Sequence, residues 1–420
     1  MSRVDPGNSV SPSRWISSPG AKTAGPWLRE LNEKKMRENS LPEKFQQAGS
    51  RAAQASQPEG PPPCVDISRR RVLNTIVAQI AMASMPVIAA DIAPRRWKVL
   101  PARSTVNLEK RGMQAVVTGS GSALPDPLRA GASCAIVVDG TVLQFDFGRC
   151  VMENLMLAGI NPEKIDKVFF THLHFDHIND YDYYAITTWI AGRQEIVDVY
   201  GPPGTQEMSD GAIKGMNKVN YRFITQQQTW PAGAPGRPAR TPPFAVHEIS
   251  PGKVLETNKF RITCAEVVHL KDAWTTSLAY RVDSDYGSIA ISGDSAPSDD
   301  LVALAKNVDI LFHDCVIPDF GMTADGRFSF KAYHDQKRVL HTSPTQLGML
   351  AKRANVGMLV PYHLAPFGSV AAAIDMSRGY YGTRSDAAIW AEFIYAIKQN
   401  YAGPVVLAED LQIFDFETVR

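Results

Sequence analysis

The chain has little excess charge of either sign: across 420 residues, 44 lysines and arginines face 43 aspartates and glutamates, for a formal net charge of +1. A protein that neutralises many phosphates carries a marked basic surplus, so charge alone gives no reason to expect a nucleic-acid partner. Cysteine is scarce and scattered. Cys64, Cys134, Cys150, Cys264 and Cys315 show none of the paired short spacings of a zinc ribbon or a redox CxxC motif. One or two disulfides and buried free thiols are both compatible with that spacing. The apolar segment at residues 75–90 is interrupted by Gln79 and Pro86. It falls short of the roughly 18 to 20 apolar residues that cross a bilayer, so a retained membrane anchor is not expected. The 44% hydrophobic content is nevertheless enough for one large domain plus an extension.

Residues 1–67 are rich in Ser, Pro, Gly, Gln and Lys and lack apolar periodicity, which predicts an extension with little fixed structure beyond a short polar helix near residues 30–39. Ser68-Arg69-Arg70-Arg71 then precedes the apolar segment, whose end, Val87-Ile88-Ala89-Ala90, is small enough for a signal-peptidase site. Residues 68–90 resemble a twin-arginine export signal. The resemblance implies the twin-arginine translocation machinery as a partner and a periplasmic or secreted protein that is folded before export. The alternative is a basic turn ahead of a core helix. Residues 91–112 are then expected to be a linker, and 113–420 the catalytic domain.

From Met113 the apolar pattern becomes regular. Ala115-Val116-Val117, Cys134-Ala135-Ile136-Val137-Val138 and Val142-Leu143-Gln144-Phe145 read as strands, followed by Asp146, a short helix over residues 152–158 ended by Gly159, and a strand over 165–170. Thr171-His172-Leu173-His174-Phe175-Asp176-His177 comes directly behind that strand. Three imidazoles and one carboxylate within six positions are hard to explain as ordinary surface. Neutral imidazole and carboxylate are ligands of zinc and similar divalent metals, and a turn after a strand can aim several at one point. The aromatic-rich residues 181–189 are a candidate pocket lining, and the proline-rich residues 229–243 an exposed loop near the site.

In the second half, strands over residues 260–268, 276–282, 288–292, 308–312 and 357–362 end at or near metal-type residues: His269, Asp294, His313-Asp314 and His363. Ser298 is a candidate helix cap, and Ser343-Pro344-Thr345-Gln346 opens a helix with a cap, an N1 proline and a capping-box glutamine. His172, His174, Asp176, His177, His269, Asp294 and His363 together are enough for two metal ions.

The HxHxDH run, a lone His, Gly293-Asp294-Ser295 and a final His after an apolar strand resemble the metallo-β-lactamase superfamily. The resemblance implies an α/β chain (α+β in some schemes) folded as a four-layer αββα sandwich, with two zinc ions at one edge. One would be held by His172, His174 and His269, the other by Asp176, His177 and His363, with Asp294 bridging them and Asp146 fixing a histidine tautomer from behind. Two cations about 3.5 to 4 Å apart supply hydroxide at neutral pH.

Gly119-Ser120-Gly121-Ser122-Ala123-Leu124-Pro125, Leu311-Phe312-His313-Asp314 and His341-Thr342-Ser343 further resemble the ribonuclease Z-like branch, which includes tRNA-processing nucleases, phosphodiesterases and secreted arylsulfatases. That likeness makes His341 the expected general acid, acting with Asp176, and places His313 and Asp314 behind it. Asp314 stands where the branch more often has Glu. The branch's tRNA nucleases carry a basic arm where this chain has only Asp283-Ser284-Asp285-Tyr286-Gly287, and residues 187–193 and 404–410 look like the secreted arylsulfatase-type members. The expected activity is hydrolysis of a small anionic ester, a sulfuric or phosphoric ester, with no nucleic-acid partner. A lactone or β-lactam hydrolase, a ribonuclease Z-type nuclease and a non-catalytic metal-binding protein are the alternatives. Oligomeric state is open, a dimer being compatible.

Overall fold

The computed structural model describes residues 97–101, 104–226, 239, 241–271, 275–315, 340–365 and 386–416. The export-signal residues, Cys64 and most of the 229–243 loop lie outside them.

Two sheets face each other. The first has eight strands in the order β1 (Trp97–Val99), β14 (Ile413–Phe416), β2 (Met113–Gly119), β3 (Ser133–Val138), β4 (Thr141–Phe145), β5 (Ile165–Phe169), β6 (Val197–Gly201) and β7 (Phe244–Glu248). The second has six, in the order β13 (Met358–Tyr362), β12 (Ile310–Asp314), β11 (Gly287–Ile291), β10 (Thr276–Ser284), β9 (Phe260–Lys271) and β8 (Gly252–Glu256). Strands β4 to β7 run parallel, as do β11 to β13, so several carboxyl ends open together.

Strand alternation sorts the core. On β3, Cys134, Ile136 and Val138 pack between the sheets, while Ala135 and Val137 turn to the outer face. Both faces are covered, and β2 and β3 are buried along their whole length, which is why they read as continuous apolar runs. The outer face of the first sheet packs against α1 (Val151–Leu157) and α3 (Tyr181–Ile190). The outer face of the second packs against α6 (Asp299–Leu304), α7 (Pro344–Ala354) and α8 (Asp386–Lys398), giving four layers, αββα. Each fully buried aliphatic or aromatic side chain in these layers contributes about 1.5 to 3 kcal/mol. Ser298 and Ser343 cap α6 and α7 as their sequences predict, the latter with a complete capping box.

Trp97–Val99 pairs antiparallel with Phe414–Phe416, so a short strand lies within residues 91–112. One expectation is corrected here. Tyr181, Tyr184 and Trp189 do not line a pocket. All three are fully buried on the inner face of α3, with Tyr181 Oη bonded to Ser209 Oγ at 2.8 Å and Trp189 Nε1 donating to the Ala239 carbonyl. Among the described residues, Cys134, Cys150, Cys264 and Cys315 form no disulfide with one another, and all but Cys150 are buried.

Candidate metal centre

Asp146 directly follows β4 in a left-handed conformation, φ 56°, which a non-glycine residue holds only under constraint. Its Oδ1 accepts the Thr171 backbone N–H at 2.8 Å, and its Oδ2 accepts the Thr171 hydroxyl at 2.8 Å and His177 Nδ1–H at 2.9 Å. The second sheet grips the same loop: Leu278 N–H donates to the Thr171 carbonyl and Tyr280 Oη–H to that of Phe170. These bonds, rather than helix capping, shape the loop. The one-turn helix α2 (Phe175–Ile178) begins at His174 without a side-chain cap.

Gly293 completes the approach from β11. It has φ 60°, and a Cβ there would meet Thr171 Cβ at 2.6 Å, so only glycine lets the Asp294 segment close on the loop.

All seven residues expected to hold metal meet at this edge. His172, His174, His269 and Asp294 form one group of donor atoms, and Asp176, His177, His363 and Asp294 a second, each within 4.8 Å. Asp294 belongs to both. Its Oδ2 lies 3.9 Å from His172 Nε2 and 3.6 Å from His269 Nε2, whereas its Oδ1 lies 3.2 Å from both His177 Nε2 and His363 Nε2. Asp176 Oδ2 stands 3.1 Å from His363 Nε2 and 3.6 Å from His177 Nε2.

Protein hydrogen bonds on the outer ring nitrogens turn these donor atoms inward, toward one another. His269 Nδ1–H donates to the Leu340 carbonyl at 2.8 Å, and His172 Nδ1 lies 3.1 Å from a Thr171 hydroxyl already donating to Asp146. Both Nε2 atoms are therefore lone-pair acceptors, and both crowd His174 Nδ1, at 2.9 and 3.1 Å. One ring proton can answer one of those contacts and not both. In the second group, His177 Nε2 and Asp294 Oδ1 are buried without a hydrogen bond. The donor chemistry, nitrogen-rich on one side and mixed on the other, fits two divalent cations of the zinc class.

The electrostatics divide the same way. Burial, then repulsion from His177, holds His172 well below the usual histidine range; burial, then His269, lowers His174 to about 4; burial also lowers His269. In the second group burial opposes charge on the rings but is outweighed. Asp294, Asp176 and Asp146 hold His177 well above its ordinary value, and Asp294, Asp176 and Asp314 raise His363 to about 10. Among the described residues no lysine or arginine forms an ion pair with Asp146, Asp176, Asp294 or Asp314. Positive charge in this half comes from imidazolium or from a cation.

His341 stands above both groups, with ring centroids 5.0 Å from His269 and 5.7 Å from His363. Its Nδ1–H donates to Asp314 Oδ2 at 2.7 Å, so the aspartate reaches the ring despite being one methylene shorter than glutamate. His313 does not join it. That ring is fully buried and donates from Nδ1 to the Asp314 carbonyl, because adjacent strand residues point to opposite faces. Thr171 and the Leu340 carbonyl escape sequence reasoning. Only the position of Thr171 at the head of the histidine run hinted at its role.

A four-layer αββα sandwich with this edge belongs to the class of metal-dependent hydrolases. Residues 145–364, just over half of the chain, match the beta-lactamase superfamily domain, and the chain belongs to that superfamily. Ribonuclease Z from Mycobacterium bovis (strain BCG / Pasteur 1173P2) is 30% identical over 258 residues, covering 60% of this chain and 86% of that protein. Ribonuclease Z from Mycobacterium marinum (strain ATCC BAA-535 / M) is 31% identical, with 60% and 87% covered. Among solved structures, the metallo-beta-lactamase fold protein YhfI from Bacillus subtilis shares the fold, with a TM-score of 0.51 at 19% identity over 72% of this chain and 99% of that one.

Proposed function

We propose that the protein hydrolyses small phosphoric diesters with two zinc-class cations. Asp294 carries this reading: each of its oxygens faces a different donor group, so one carboxylate would serve both cation positions. When bound, such cations lower the pKa of water and polarise an ester oxygen. The chain's own residues supply the rest. Asp176, within the second group, orients the attacking water and accepts its proton. His341, held through Nδ1 by Asp314, turns Nε2 toward the ester and donates a proton to the leaving oxygen, while Asp314 stabilises the charged ring. Ribonuclease Z relatives favour phosphorus over sulfur. An aryl sulfate carries the same single charge and is the near competitor.

The link between β10 and β11 is only Asp285 and Tyr286, a hairpin turn where the branch's tRNA nucleases are expected to extend an arm. That favours a small ester. Processing of precursor tRNA is the second reading, supported by the 30% identity to ribonuclease Z. Export through the twin-arginine route remains our proposal for location, checked by fractionating cells that carry Arg69→Lys and Arg70→Lys.

Chromogenic phosphodiester, phosphomonoester, aryl sulfate and lactone substrates, with precursor tRNA alongside, decide the activity. Phosphodiester turnover is expected to fall by about three orders of magnitude or more in Asp294→Ala, together with loss of both metal equivalents. Turnover of lactone alone would reject the reading. Cleavage of precursor tRNA far above the small diesters would move it to the nuclease.

A further inference from the structure

Each histidine in the two donor groups that points Nε2 inward needs a partner for its other ring nitrogen. His177 has Asp146, His172 has Thr171 backed by Asp146, and His269 has the Leu340 carbonyl. His363 has one candidate among the described residues, Asp314 Oδ1, 3.5 Å from its Nδ1; both atoms are buried, and each lacks a hydrogen bond at this separation, which a small movement of either side chain would close. The other oxygen of Asp314 accepts His341 Nδ1–H at 2.7 Å and the Ser295 backbone N–H at 3.1 Å. The carboxylate is fully buried, and the capped start of α7 fixes the backbone beside His341.

We propose that Asp314 is a positioning residue shared by two rings with different duties: Oδ1 aims His363 at the second cation group, and Oδ2 aims His341 at the ester. Affinity for the second cation and proton delivery then depend on one side chain. This rests on the reading of the donor groups as cation sites.

The test titrates zinc into metal-stripped, full-length protein and needs no substrate. Wild type is expected to take up two ions. Asp314→Asn is expected to keep the first equivalent and weaken the second by about 10- to 100-fold, while Asp314→Glu, which retains a carboxylate, recovers most of that loss. His341→Ala is expected to keep both. With the best phosphodiester, Asp314→Asn and His341→Ala both lower kcat more than they change KM, and both lose the limb of the kcat–pH profile that belongs to the proton donor. If the asparagine variant does not fold, Asp314→Ser carries the same comparison. Two full-affinity ions in Asp314→Asn would overturn the proposal while leaving the dinuclear reading standing. So would equal loss of the second ion in His341→Ala, which would make His341 itself a cation donor. A single ion in wild type would overturn both.

Discussion

Asp146 follows β4 of the eight-stranded sheet, Asp314 ends β12 of the six-stranded one, and each is a buried carboxylate behind two histidine rings: Asp146 bonds His177 and reaches His172 through Thr171, whereas Asp314 bonds His341 and faces His363 at 3.5 Å. Both rings served by Asp146, His177 directly and His172 through Thr171, point at cation groups. On our proposal Asp314 serves one ring of that kind, His363, and a second, His341, that the proposed reaction uses for proton transfer. The first sheet thus supplies fixed geometry. The second combines the same support with a ring free to act on substrate, so metal binding and chemistry meet there.

Between the two supporting carboxylates, the larger expected effect comes from breaking the one in the first sheet. Asp146→Asn turns an amide toward the Thr171 N–H, the Thr171 hydroxyl and His177 Nδ1–H, three donors that now share one carbonyl oxygen. Each buried donor left unmatched costs about 1 to 3 kcal/mol, which urea denaturation of the metal-stripped protein reads directly. Zinc titration is expected to show both equivalents weakened, by about 10- to 100-fold, since one ring in each group loses its anchor. If Asp146→Asn weakened only one equivalent, the contrast with Asp314 would disappear.

The histidine run was legible because its chemistry is local: ligand types crowd one short loop directly behind the apolar run Val168-Phe169-Phe170. The capped helices and the apolar strands that lead to the site residues were legible for the same reason, whereas β1, β7, β8 and β14 were not. Thr171 was not, because its role is to pass a hydrogen bond between two other side chains, and no spacing rule marks that. His313 and Asp314 looked alike as neighbours in sequence, yet strand alternation gives the site only one of them. Tyr181, Tyr184, Ala185 and Thr188 follow helical spacing and belong to the buried face of α3; reading their aromatic character instead of their period suggested a pocket.

The two donor groups are also expected to respond to pH in opposite directions when stripped of metal. His174 is lowered to about 4 from 6.5, so its contribution is present at neutral pH and lost as pH falls between those values. His363 is raised to about 10 from 6.5; its contribution is complete below 6.5 and lost as pH rises toward 10. The melting temperature should therefore fall on both sides of neutrality. His174→Ala is expected to flatten the acid limb and His363→Ala the alkaline one, with saturating zinc flattening both in the wild type. Asp314, lowered to about 2 because His341 outweighs its burial, adds a further loss as pH falls from 3.8 toward 2. Identical profiles in the two variants would mean that the halves are not electrostatically distinct.

The smallest effect separates the way each half fixes its backbone. The loop of the first sheet reaches α2 with no side-chain cap and relies on Asp146, whereas His341 lies two residues before Ser343, which caps α7 and exchanges bonds with Gln346. Ser343→Ala removes the side chain's half of that box and should cost about 1 kcal/mol in thermal or urea unfolding. Zinc affinity should stay at the wild-type level, because none of the cation-group residues lies on α7. Turnover should fall only a few-fold, through looser placement of the His341 ring against Asp314, and the kcat–pH profile should keep its shape. Loss of a zinc equivalent in Ser343→Ala would show that the start of α7 supports the cation groups as well as the proton donor, and the division between the two halves would have to be redrawn.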